Sequence, residues 1–192
     1  MNQSIELVPL KCVQCGTAVP AAPDEVAWAC PNCGQGLLLD EEKGLVPLEV
    51  RYMAAAQETG VTWKPFWVAR GRVTFQRRTA YGRQQGPDER WQQPQVFVLP
   101  AYECSLEEAG ALGMGFLRQP PPLEAGPTGV LERVTVDPQG ARALAEFVVL
   151  TVEAERRDHL KEIAFDLALD PPTLWVLPFA QREGKLFLAA TG

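Results

Sequence analysis

The chain has 192 residues, 46% hydrophobic and 22% charged, and a formal net charge of −6. That length holds a small module plus one ordinary domain of about 150 residues, and the composition is that of a folded chain rather than a disordered or fibrous one. No apolar run approaches the ~20 residues of a membrane-spanning helix, and Met1 to Leu10 lacks the basic start and apolar stretch of a signal peptide.

From the N-terminus, Leu7-Val8-Pro9-Leu10 leads into a first knuckle, Cys12-Val13-Gln14-Cys15-Gly16. A second, Cys30-Pro31-Asn32-Cys33-Gly34, follows fourteen residues later. Each Cys-x-x-Cys sets two thiolates on one tight turn, and the Gly after it admits a backbone conformation that other residues resist. Two such pairs complete a tetrahedral four-sulfur shell, so Cys12, Cys15, Cys30 and Cys33 are expected to bind one structural Zn2+, with iron as the rival metal. A redox dithiol or a pair of disulfides are the competing readings of the same cysteines. With all four ligands from the protein, no position remains for a reactive water, and the metal staples a segment too short to bury its own core. Four thiols held reduced for metal point to the cytoplasm. Cys104 has no neighbouring base and reads as a small hydrophobe.

The ribbon is expected over residues 1–44, closing on the acidic turn Asp40-Glu41-Glu42-Lys43-Gly44. The Leu-Val-Pro-Leu at its start recurs at Leu45 to Leu48. Residues 45–192 read as a mixed-sheet domain with one or two short helices, making the chain α+β and predominantly antiparallel β. Period two dominates. Phe66 to Arg77 is a strand, with Trp67, Ala69, Val73 and Phe75 facing inward and Arg70 and Arg72 outward. Gln95 to Leu99 is the next strand. Ser105-x-x-Glu108 has capping-box spacing for a helix ending near Gly113 or Gly115. The Pro-rich stretch 119–129 is a hinge or a long surface loop that splits the domain in two, and the repeats beside it read either as a duplicated β unit or as recurrent strand-end proline. Val98-Leu-Pro-Ala-Tyr102 resembles Val176-Leu-Pro-Phe-Ala180, and Lys64-Pro-Phe-Trp67 is a looser third copy. Val130 to Val136 reads as a strand, and Asp137-Pro138 caps a helix running to about Phe147. Val148 to Val152 fits a helical face as well as a strand, and its β-branched run favours strand. Ile163 to Leu169 alternates cleanly. Leu174 to Phe179, a turn at Gln181 to Gly184, and Lys185 to Ala189 form a closing hairpin.

Charge is uneven. Residues 1–60 carry net −5, residues 61–100 net +5, and residues 101–192 net −6. Between Lys11 and Gly36 there is one cation, so the ribbon itself is a poor reader of phosphate. The basic segment 64–91 interleaves arginines with aromatics. Arg70, Arg72, Arg77 and Arg78 with Phe66, Trp67 and Trp91 have the mix used for backbone contact and base stacking, so nucleic acid is one expected partner. A solvated face, or ion pairs within the chain, is the plainer reading of those arginines.

Catalytic groups are sparse. His159 is the one histidine and lies in a charged stretch. Ser4 and Ser105 lack a nucleophile-elbow context, and Gly110 to Gly115 lacks the order of a phosphate loop. A non-enzymatic role is expected.

At its two knuckles, followed by Pro65-Phe66-Trp67-Val68 and Leu99-Pro100-Ala101-Tyr102, the chain resembles a group of small bacterial zinc-ribbon proteins. Their ribbons are of the transcription factor IIB or primosomal-helicase type. The likeness to those named types covers the knuckles alone, carries no helicase or polymerase-binding motif, and implies zinc. The expected function is a non-catalytic interaction module, an adaptor or accessory subunit of a larger protein assembly. The alternative is a nucleic-acid-associated factor using the basic segment. A zinc-thiolate redox switch is the third reading.

Overall fold

The computed structural model describes residues 10–55, 60–82, 86–182 and 185–189. Ser4, Leu7 to Pro9, Glu183 and Gly184, which figure in the expectations above, lie outside the described residues.

Strands β1 (Ala27–Ala29), β2 (Gly36–Asp40) and β3 (Gly44–Leu48) form an antiparallel sheet; the second knuckle joins β1 to β2, and the first is closed by a separate bridge between Lys11 and Ala18. The β2–β3 turn is set by Asp40, whose Oδ1 accepts from the amides of Glu42 at 3.0 Å and Lys43 at 2.8 Å, and by Gly44 at φ 74°. The sheet therefore continues past Gly44 to Leu48.

A second, mixed sheet holds β4 (Val50–Tyr52), β5 (Val61–Tyr81), β6 (Gln95–Pro100), β7 (His159–Leu169), β8 (Thr173–Arg182) and β9 (Lys185–Leu188). Only β4 runs parallel, against β8. The 21-residue β5 is the spine. Along one edge it pairs with β8 from Val61 to Val68 and with β7 from Gly71 to Tyr81. These two strands lie end to end, broken by Asp170-Pro171-Pro172, and β6 takes the other edge from Phe66 to Gly71. The strands before and after the Pro-rich stretch thus belong to one sheet, and the three Pro-aromatic segments meet, with 98–100 and 176–178 flanking 64–67. Pro178 sits between the β4 and β9 pairings of β8, where a missing N–H breaks no ladder.

Two helices complete the fold. Helix α1 (Leu106–Arg118) starts on Ser105, whose Oγ accepts from Glu108 N at 3.1 Å, and runs past Gly113 and Gly115. It closes the β6 edge: Phe116 packs into the core on one sheet face and Leu117 into the core on the other. Helix α2 (Pro138–Ala154) starts on Asp137 and takes in Val148 to Val152, which the β-branched run had favoured as strand. Packing decides this. Ala141, Ala145, Val148, Val149 and Val152 make one buried stripe against the sheet. The four β-branched residues of that run weaken a helix by about 0.5 kcal/mol each, while burying its three valines contributes about 1.5 kcal/mol or more apiece.

One further expectation is corrected. Residues 130–136 are irregular apart from Val134, which bridges Ala27. The Pro-rich stretch is tied down at its far end, where Ala54 N donates to Glu124 O at 2.9 Å and Gly126 N to Tyr52 O at 2.8 Å. A Cβ on Gly126 would stand 2.7 Å from Ala54 Cα, so only glycine permits that approach.

Candidate metal centre and basic strand

The two knuckles are copies in geometry as well as in sequence. Cys12 N donates to Thr17 O and Cys30 N to Gln35 O, each at 2.8 Å, while Gly16 N returns to Cys12 O and Gly34 N to Cys30 O. Both turns close on a glycine at φ 74°. The four Sγ atoms consequently converge, all within 4.8 Å of one another. Cys12 and Cys33 approach to 3.6 Å, as do Cys15 and Cys30. A tetrahedron with 2.3 Å metal–sulfur bonds has edges of about 3.8 Å, whereas a disulfide needs about 2.05 Å. The site fits one four-coordinate metal ion.

Its electrostatics ask for a cation. The Thr17 hydroxyl and then its backbone amide, with Asn32, hold the Cys15 thiol down to about 5. At Cys33 the Gln35 amide pulls downward, but desolvation and the sulfurs of Cys15, Cys12 and Cys30 push the thiol up to about 12. Four thiolates at this spacing need positive charge between them. Cys12 and Cys30 are buried under Val19, Trp28, Leu37 and Leu45, while Cys15 and Cys33 face solvent.

The ribbon is fastened to the main sheet through β1. Val26 N donates to Val134 O at 2.8 Å, and Arg133 pairs with Asp24 and Glu25. Glu25 also accepts from Trp28 Nε1 at 3.0 Å, and Ala27, Val26, Leu38 and Leu48 pack into the same core as Trp67 and α2. The tether through Arg133 and Val134 was not legible in the sequence, where both fall in an expected strand, because a single bridge has no periodicity.

The basic segment is not one surface. Arg70 and Arg72 are exposed on the outer face of β5, as its alternation requires. Arg77 is also exposed and pairs with Glu162 at 2.6 Å. Arg78, by contrast, is buried. Its guanidinium pairs with Glu153 at 2.5 Å and Asp158 at 2.6 Å, all three side chains being 1% exposed or less. Trp91 Nε1 and Asp88 N each donate to Glu153 Oε1 at 2.8 Å, and Arg156 reaches Oε2 at 3.0 Å. A β-bulge between Phe75 and Arg77 explains the split. Before it, odd residues of β5 face α2; after it, even ones do. Phe66, Trp67 and Trp91 are core residues, with Trp67 Nε1 donating to Val136 O at 2.6 Å. The expected stacking platform is therefore corrected: those three rings have no face for a base. Glu153 was legible only as part of a charged stretch, although it falls one helical turn after Val149 on the buried stripe of α2.

Cys104 is half-buried and lines a cleft of about 510 Å³ between the Asp24 loop and α2. Desolvation, and then the charge of Glu108, push its thiol up, away from a reactive thiolate. His159 opens β7 at the surface. Among the described residues no helix is long and apolar enough to cross a membrane. Comparisons with protein-family models, with curated proteins and with solved structures found no match.

Proposed function

We propose that the chain is a non-catalytic interaction module, a structural-zinc ribbon mounted on a mainly antiparallel sheet domain, serving as an adaptor or accessory subunit of a cytoplasmic protein assembly. The observation that carries this reading is the convergence of four cysteine sulfurs from two matching knuckles. A four-sulfur tetrahedral site suits zinc, whose closed shell does no redox work and leaves no place for a substrate. Fastened through Val26 and Val134, the ribbon gives a small chain a rigid surface, which lowers the ordering cost of docking.

The test has two readouts. Metal analysis of the purified chain is expected to find one zinc per chain, lost on Cys30→Ser. An affinity pull-down from native lysate, half of it treated with nuclease, is expected to recover a stoichiometric protein partner from both halves. Recovery of no partner from either half would sink the adaptor reading.

A second reading, a nucleic-acid-associated factor, is favoured by one observation: Arg70 and Arg72 project from the same exposed face with no ion pair among the described residues. It requires binding that weakens steeply with salt and falls on Arg70→Ala/Arg72→Ala. It also requires pull-down recovery that vanishes with nuclease.

A further inference from the structure

An apolar groove of about 810 Å³ runs between α1 and the β8–β9 hairpin. Phe179 and Phe116 form its floor, Pro120 to Pro122 close one end, and Phe187 and Leu188 stand on its far wall. Phe187 is 50% exposed, an unusual place for a phenylalanine. Successive residues of a strand point to opposite faces, so a groove touching both Phe187 and Leu188 reaches the edge of β9. That edge is open: among the described residues β9 pairs with β8 alone.

The helix wall is cut low. Ala111 and Gly115 lie one turn apart on the exposed side of α1, and a Cβ on Gly115 would meet nothing within 4 Å. A mid-helix glycine weakens a helix without serving the packing here, and its effect is to widen the groove. Glu108 is the one charged residue in the lining, and among the described residues it has no ion pair.

We infer that this groove binds an extended segment of a partner protein, which adds as a strand to the free edge of β9, seats alternate apolar side chains between β9 and α1, and sets a basic residue against Glu108. The open ladder supplies main-chain pairing, the groove selects side chains, and the lone carboxylate fixes direction. This rests on the interaction-module reading and gives that module its docking face and the chemistry of its partner.

The intact, metal-loaded chain is to be screened against a displayed library of short random peptides, and the winning peptide followed by fluorescence anisotropy. Enrichment of alternating apolar sequences with a basic residue at one end is expected. Gly115→Leu fills the groove while strengthening the helix, so it should fold and lose roughly tenfold or more in affinity; Phe187→Asp should do the same. N-methylation of alternate peptide amides should abolish binding in one of the two phases, as strand pairing demands. Indifference to both methylation phases would overturn strand addition, and an unenriched library would overturn the groove. Concentration-dependent dimers lost on Phe187→Asp would give the groove to a second copy instead. A pull-down partner retained by Gly115→Leu would also overturn the groove while leaving the interaction module standing.

Discussion

Arg78 Nε donates to Glu153 Oε2 at 2.5 Å in a pocket sealed from water, joining the far end of β5 to the last turn of α2. Neither charge could stay there alone. Arg78→Met leaves Arg156 as the cation set against Glu153 and Asp158 among the described residues, and breaking a buried pair of this kind costs about 3–5 kcal/mol. Denaturant unfolding should show that loss, while Arg72→Met, on the exposed face of the same strand, should stay within about 0.5 kcal/mol of the parent.

Asp158 gives this pocket an acid dependence. Its hydrogen bond to Arg78 holds the carboxyl below the usual range. A carboxyl depressed in the folded state contributes stability that is complete above its unfolded value, about 3.9, and lost as pH falls through the folded value. The expected profile of unfolding free energy is flat at neutral pH and falls below about pH 4. Asp158→Asn should lower the neutral plateau and remove part of that acid slope.

The knuckle glycines offer a clean conformational test. At Gly34, φ is 74° and an added Cβ would meet nothing within 4 Å, so Gly34→Ala is penalised by its backbone alone. A left-handed alanine costs about 1–2 kcal/mol, and metal affinity should fall roughly fivefold to thirtyfold. Gly16→Ala should match it, since φ there is also 74°. A competition titration with a chromophoric chelator measures both.

Metal removal is the fourth test. The sequence alone leads one to expect Cys30→Ser to unfold residues 1–44 and spare the C-terminal sheet. The core shared by Ala27, Leu38, Trp67 and Val149 makes a different outcome the expected one. Chelation should lower the midpoint of the whole chain in one transition, with hydrogen exchange quickening in β5 as well as around the knuckles.

What the sequence carried legibly was what local spacing dictates. The knuckles need only Cys-x-x-Cys-Gly, and the caps at Ser105 and Asp137 need one side chain each, so both were readable. The identity of Val148 to Val152 was not, because helix and strand differed there by which partner surface was present. Arg78 illustrates the harder failure. It shares composition and context with Arg72, and one extra residue in the β5 ladder, set by pairing with a segment some eighty residues away, turns it from solvent to core. The groove at β9 had no local signature, since its walls come from segments far apart in the chain.

The pairing of β5 also fixes an order of events. Val61 is matched with Ala180 and Tyr81 with His159, so the spine of the main sheet has no partner along that edge until residues 159–180 have left the ribosome. The knuckles need only residues 10–36 to close. The metal centre can then assemble well before the main sheet is complete, while β5 waits along that edge for β7 and β8. Synthesis in cells short of the metal should therefore lower yield at the stage of folding, before any finished protein exists to lose its ion.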